Sequence, residues 1–157
     1  MAREVSISDN KTLKLTNVLI LNVEIGEGTD PSASVYQMEN YIKSKGATPV
    51  GPLIQKSGVY INDKGQPSVM LSLMRQTNNF IHNVELPYRM ESILRIKNCM
   101  YAHYVGPEEC LKFAHDKIRI KAFEDYIELS KDNYTIFIAH QNENLIADVF
   151  VEKIINE

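Results

Sequence analysis

Apolar and polar positions alternate with two periods along this 157-residue chain, and the switch between them marks out its elements. Strand alternation runs from Asn17 to Ile25 and stops at Gly26-Glu27-Gly28. Thr29-Asp30-Pro31 then supplies a capping residue and a first-turn proline, and Val35, Met38, Tyr41 and Ile42 fall on one helical face. Gly46, behind Lys43 and Lys45, predicts the helix stop. Two strands follow, Leu53 to Ile61 and Ser68 to Arg75, joined by the turn Asn62-Asp63-Lys64-Gly65. A weaker alternation over Arg3 to Ser8 predicts a short edge strand, with residues 9 to 14 as a polar connection.

The same order recurs after an Asn-rich stretch, Thr77 to Glu85, in which Phe80 and Ile81 are expected to tuck the linker against the sheet. Tyr88 to Ile96 predicts a strand, Lys97-Asn98 a turn, and Cys99 to Val105 another strand. Pro107 opens a helix of roughly 20 residues by its apolar spacing, with Leu111, Ala114, Ile118, Ala122 and Tyr126 as the stripe. Phe113, Phe123 and Ile127 widen that stripe. Ser130 to Asn133 breaks it, and Tyr134 to His140 pairs with Leu145 to Ile154. The reading is α+β: duplicated β-β-α-β-β units form a pseudo-twofold antiparallel sheet with two helices on one face. One domain spans 1–157, with a first repeat at about 1–76, a linker at about 77–86 and a second repeat at about 87–157. A repeat that cannot bury its own sheet face packs on its copy, which makes the seam the expected ligand site.

Composition narrows the classes. Apolar residues make up 44% and charged residues 24%, an ordinary balance for a globular chain with a full core. A net charge of −3, with Lys and Arg dispersed among acids, gives no footprint for direct nucleic-acid contact or an anionic membrane. No stretch has the length of a membrane span and nothing at the N-terminus reads as a secretory signal, so the expectation is cytoplasmic. Cys99 and Cys110 are then expected as reduced thiols.

Several short segments together resemble a known family. They are the helix end Tyr41-Ile42-Lys43-Ser44-Lys45-Gly46, the step Val50-Gly51-Pro52-Leu53, the step Tyr104-Val105-Gly106-Pro107, and the closing strand Ala147-Asp148-Val149-Phe150-Val151. In order and spacing, over nearly the whole chain, they resemble the gyrase-inhibitor-like, effector-binding superfamily of stand-alone proteins and drug-sensing domains of bacterial transcription regulators. The resemblance implies an aromatic-lined pocket near the seam and a bacterial ligand-binding role. It also implies a glutamate on the strand after the second helix, for cationic drugs or for hydrolysis in some relatives. That strand here, Thr135-Ile136-Phe137-Ile138-Ala139-His140, has no acid, which argues against catalysis and against the family's usual cation anchor.

The candidate ligand-binding residues are Glu91, Arg89, Tyr101, His103, Met70 and Phe137. Arg89 and Glu91 share a strand face, either as a solvated ion pair or as a pocket acid with its partner. Tyr101 and His103 share another, where they either orient a ligand or stand as ordinary half-buried side chains. Met70, Ser72 and Met74 form either a pocket wall or sheet–helix packing, and packing is preferred. No histidine or cysteine spacing suits a metal, and no cofactor is expected. Cys110 beside Glu108 and Glu109 lacks the electropositive setting of a reactive thiol. Two functions follow: a non-catalytic protein that binds a small-molecule effector, or an interaction protein whose apolar sheet face docks a partner or a second copy of itself.

Overall fold

The structure, a computed structural model, describes residues 4–25 and 31–154. Arg3, Gly26-Glu27-Gly28 and Thr29-Asp30, and with them the expected first-helix cap, lie outside the described residues. The elements are β1 (Glu4–Ile25), α1 (Ser32–Ser44), β2 (Pro49–Ile61), β3 (Pro67–Thr77), β4 (Tyr88–Gly106), a 3-10 turn (Glu108–Cys110), α2 (Lys112–Glu124), β5 (Leu129–Gln141) and β6 (Asn144–Lys153).

The short strands expected at 3–8 and 88–96 are the leading parts of β1 and β4, which run 22 and 19 residues. The polar connection at 9–14 and the turn at Lys97-Asn98 are therefore corrected. Asn10 and Asn98 adopt left-handed φ of 59° and 58° inside continuous strands. Asparagine tolerates that conformation, so its turn chemistry goes into a local kink rather than a reversal.

Contacts group the chain into two units, Lys14–Leu94 and Met1–Leu13 with Arg95–Glu157. In Lys14–Leu94 the strand order is β1–β3–β2, all antiparallel. Leu19 and Leu21 of β1 and Leu71 and Leu73 of β3 face Met38 and Ile42 of α1. Met70, Ser72 and Met74 alternate with those leucines and point to the opposite face, so α1 does not pack on them. Ile81 of the 77–86 stretch joins this core, whereas Phe80 stays 38% exposed and tilts against His82. Tyr41 stacks on Tyr88 at 4.3 Å, and Lys45 pairs with Glu85 at 2.7 Å.

In the other unit the order is β5–β6–β4, again antiparallel. Met100, Ala102 and Tyr104 of β4 and Val149 and Val151 of β6 face Ala114, Ile118 and Ala122 of α2, with Val5 and Ile7 of β1 at the edge. The buried Tyr104 hydroxyl donates to the Pro107 carbonyl at 2.6 Å. The helix itself runs 13 residues rather than about 20. Tyr126, expected in its apolar stripe, lies past its end at φ 58° and is 98% exposed; Phe123 is 84% exposed. Phe123 follows the inward Ala122 by one residue, about 100° around the helix, so both cannot face the core. Cys99 and Cys110 are free thiols, and burial pushes Cys99 up to about 11. No helix among the described residues is long and apolar enough to cross a membrane.

Candidate functional site

The β5–β6 hairpin fixes the site. Asn142 and Glu143 both take positive φ, 51° and 68°, as the two-residue turn that matches strand twist requires. Gln141 therefore pairs with Asn144, and Asp148 falls opposite Ile136 on one side and His103 on the other. Tyr101 falls opposite Phe150. These four residues alternate with the side chains that meet α2, so Tyr101, His103, Asp148 and Phe150 share the face turned away from that helix.

Two polar side chains converge there on one oxygen of a third. Tyr101 Oη donates to Asp148 Oδ1 at 2.8 Å, and His103 Nδ1 lies 2.7 Å from the same atom. The tilted Tyr101 and Phe150 rings, 5.0 Å apart at 51°, form an aromatic flank. Burial first, and then the Asp148 carboxylate, push the Tyr101 hydroxyl up to about 12. Tyr101 thus keeps its proton at neutral pH and remains a donor. A carboxylate oxygen accepts, so His103 also donates to it, through Nδ1. The His103 side chain is 40% exposed and that of Asp148 20%, enough for a ligand to reach both.

The cluster offers a carboxylate, a part-exposed imidazole and an aromatic flank. Its phenol proton is already directed at Asp148, so it presents no neutral donor to a developing oxyanion.

Of the six residues singled out from sequence, Tyr101 and His103 are brought together, through Asp148. Phe137 lies on the same unit but opposite Ala147, on the α2 side of the sheet. Met70, Arg89 and Glu91 belong to Lys14–Leu94. There Met70 is half-buried between Glu24 and Gly58, and Arg89 Nε sits 3.7 Å from Glu91 Oε1 with both side chains about half exposed. Asp148 was the residue sequence reasoning missed. Its signal is an acid in the middle of an otherwise apolar strand, in phase with Phe150. Two surface depressions of about 570 and 470 Å³ lie elsewhere in this unit, around Tyr126, Ile127 and Glu128. Among the described residues no three potential metal ligands gather.

Neither a family model nor a curated protein sequence matches the chain. Solved structures do resemble it in fold. The EcmrR chain of an EcmrR–DNA complex superposes with a TM-score of 0.60 at 11% identity over 97% of this chain, which spans 58% of that chain's length. A hydrolase encoded by lin2189 from Listeria innocua gives 0.57 at 11% identity, covering 96% of this chain and 92% of its own. SAV2435, solved with tetraphenylphosphonium, gives 0.47 at 6% identity, with coverage of 96% and 94%. At such identities the likeness is one of fold.

Proposed function

We propose that this chain is a non-catalytic binding module for a small effector carrying an aromatic body and a cationic group, held on the sheet face formed by Tyr101, His103, Asp148 and Phe150. The observation that carries the reading is the convergence of Tyr101 and His103 on Asp148 beside an aromatic pair. The resemblance to effector-binding proteins supports it. The family's acid, missing from Thr135–His140 of β5, has a counterpart one strand away on β6, where Asp148 pairs across from Ile136. A cation gains most where an anion and ring faces adjoin, because both favour positive charge. Arg89 and Glu91 remain a solvated pair in this reading, worth well under ~1 kcal/mol.

Benzyltrimethylammonium titrated into labelled protein, followed by NMR, tests it. Shifts are expected at Tyr101, His103 and Phe150, with affinity falling roughly tenfold in Asp148→Asn, the loss of one charge-assisted contact, and unchanged in Glu91→Gln. Equal affinity in Asp148→Asn, or shifts centred on Glu91, would overturn the assignment.

A further inference from the structure

We propose that the depression of about 470 Å³ past the end of α2 is a second binding site, which holds a neutral saccharide against Tyr126. It shares no lining residue with the sheet face of Tyr101, His103, Asp148 and Phe150. Main-chain pairing holds its β5 and β6 sides together: Leu129 pairs with Lys153, and the Ile154 N–H donates to the Glu128 carbonyl at 2.8 Å. Ile127 and Ile154 give it apolar surface, and Asn10, Asn98, Tyr126, Glu128 and Lys153 complete the lining. Its volume falls within the ~300–1,000 Å³ usual for small-molecule sites.

The backbone singles this place out. Among the described residues seven non-glycine positions take left-handed φ, and three of them line this one depression: Asn10 at 59°, Asn98 at 58° and Tyr126 at 58°. Asn142 and Glu143 need that conformation for a hairpin turn, but Asn10 and Asn98 lie inside continuous strands where no reversal calls for it. Tyr126 is the most telling of the three. Both helices end with a cap residue at φ −91° or −94° and then a left-handed residue, which on α1 is Gly46 at φ 79°. The closing bonds match as well, Ala47 N–H to Ile42 carbonyl at 3.2 Å and Ile127 N–H to Ala122 carbonyl at 2.8 Å. A side chain is strained in this conformation where glycine is not. Tyr126 receives no burial in return, being 98% exposed. Such outliers gather where side chains are held out to meet something else.

The chemistry of the lining names the class of ligand. The Lys153 ammonium donates to Asp9 at 2.7 Å and to Asn10 Oδ1, which leaves one of its three donors. Asn10 gives its carbonyl oxygen to that bond and keeps its amide donors; Asn98 brings both halves of an amide, and Glu128 a carboxylate. Positive charge is not in excess. Asp9 matches Lys153, Asp125 matches Lys121 at 3.0 Å, and Glu128 stands beyond both pairs. Lys11 and Lys97, next in sequence to the two asparagines, are equalled by Glu124 and Glu152. An anionic ligand would therefore meet as much negative charge as positive, and a bare cation would meet Lys153. A purely apolar ligand would cover the amides and the ammonium without satisfying them. A flat base gains from cover on both faces, whereas the lining holds a single ring. A sugar matches each property: its C–H face packs on one aromatic ring, and its neutral hydroxyls each donate and accept.

Cellobiose, maltose and N-acetylglucosamine titrated into the labelled full chain, followed by NMR, test this. At least one of the three is expected to shift Asn10, Asn98, Tyr126 and Lys153 with affinity of about 1 mM, leaving Tyr101 and His103 unmoved. Tyr126→Gly should weaken that binding at least about tenfold at an unchanged or higher melting temperature, because glycine keeps the backbone and removes only the platform. Asn98→Gly removes the amide with the same backbone freedom and should weaken it about fivefold. Tyr36→Ala, at an equally open tyrosine on α1, should bind as the wild type does. Silence of all three sugars at about 20 mM overturns the proposal, whatever adenosine or gluconate (probes for a flat base and an anion) does to the same residues. So does sugar binding that is indifferent to Tyr126→Gly.

Discussion

Replacing Asp148 with alanine removes the acceptor that Tyr101 and His103 share, and the cost can be worked from their surroundings. Tyr101 is half-buried, so its hydroxyl is left largely without an acceptor, at about 1–2 kcal/mol. The His103 ring is 40% exposed and regains water, so its share stays below about 1 kcal/mol. The sum, about 2 kcal/mol, corresponds to a melting temperature roughly 4–8 °C lower for a chain of this length. Denaturant unfolding of wild type, Asp148→Ala, Tyr101→Phe and the double variant isolates the pair. The coupling energy is expected at about 1 kcal/mol, well outside the ~0.3 kcal/mol of independent sites. A second readout uses proton binding. In Asp148→Asn the Tyr101 hydroxyl should titrate below about 12 yet remain above 10.0, because burial is the larger cause of its shift and the carboxylate the smaller. Additive stabilities, or a Tyr101 titration that ignores Asp148→Asn, would refute the shared-acceptor geometry on which the site rests.

Three further outcomes are expected. Tyr126→Gly should raise stability by about 1 kcal/mol and Gly46→Ala should lower it by a similar amount, since a Cβ at Gly46 meets nothing within 4 Å and only the backbone conformation is at stake; thermal denaturation measures both. Ile118→Ala, at a fully buried position under the sheet, should cost about 2–5 kcal/mol in denaturant unfolding, far more than Ile120→Ala on the exposed side of the same helix. Stability should fall in alkali. The buried Cys99 thiol and Tyr134 phenol are pushed up to about 11 and 12 from 9.0 and 10.0, so folding holds their protons more tightly. Their contribution is complete below pH 9 and drains as pH rises through 11 to 12, which urea midpoints at pH 8, 10 and 11.5 would register.

Where local chemistry sets structure, the chain could be read directly. The Asn62–Gly65 turn forms with Gly65 at φ 75°, and Gly46 ends α1 as its position behind two lysines foretold. Glycine has no competing use at such places. Asparagine does, and at Asn10 and Asn98 the same residue type that signals a turn bends a strand that continues. Partial apolar spacing misled in the same manner. Phe113, Phe123 and Tyr126 extend the stripe of α2 by type, but the helix ends at Glu124 and can turn only one side to the sheet. The comparable ambiguity on β3, where both faces are apolar, was resolved by α1 settling on Leu71 and Leu73.

The sequence by itself determined the kinds of element, their approximate order and the class of fold, because periodicity, glycine stops and turn residues act over a few neighbours. It also brought Tyr101 and His103 forward as a pair, since two residues apart on a strand share a face whatever lies beyond. Only the tertiary structure decided what they meet. Asp148 is 45 residues from His103, and its place depends on the register of two strand pairings and on a two-residue turn at Asn142 and Glu143. Shifting either pairing by one residue would turn Asp148 toward α2 and leave the imidazole without its partner. The exposed face of α2 was settled in the same way, by which side the sheet took.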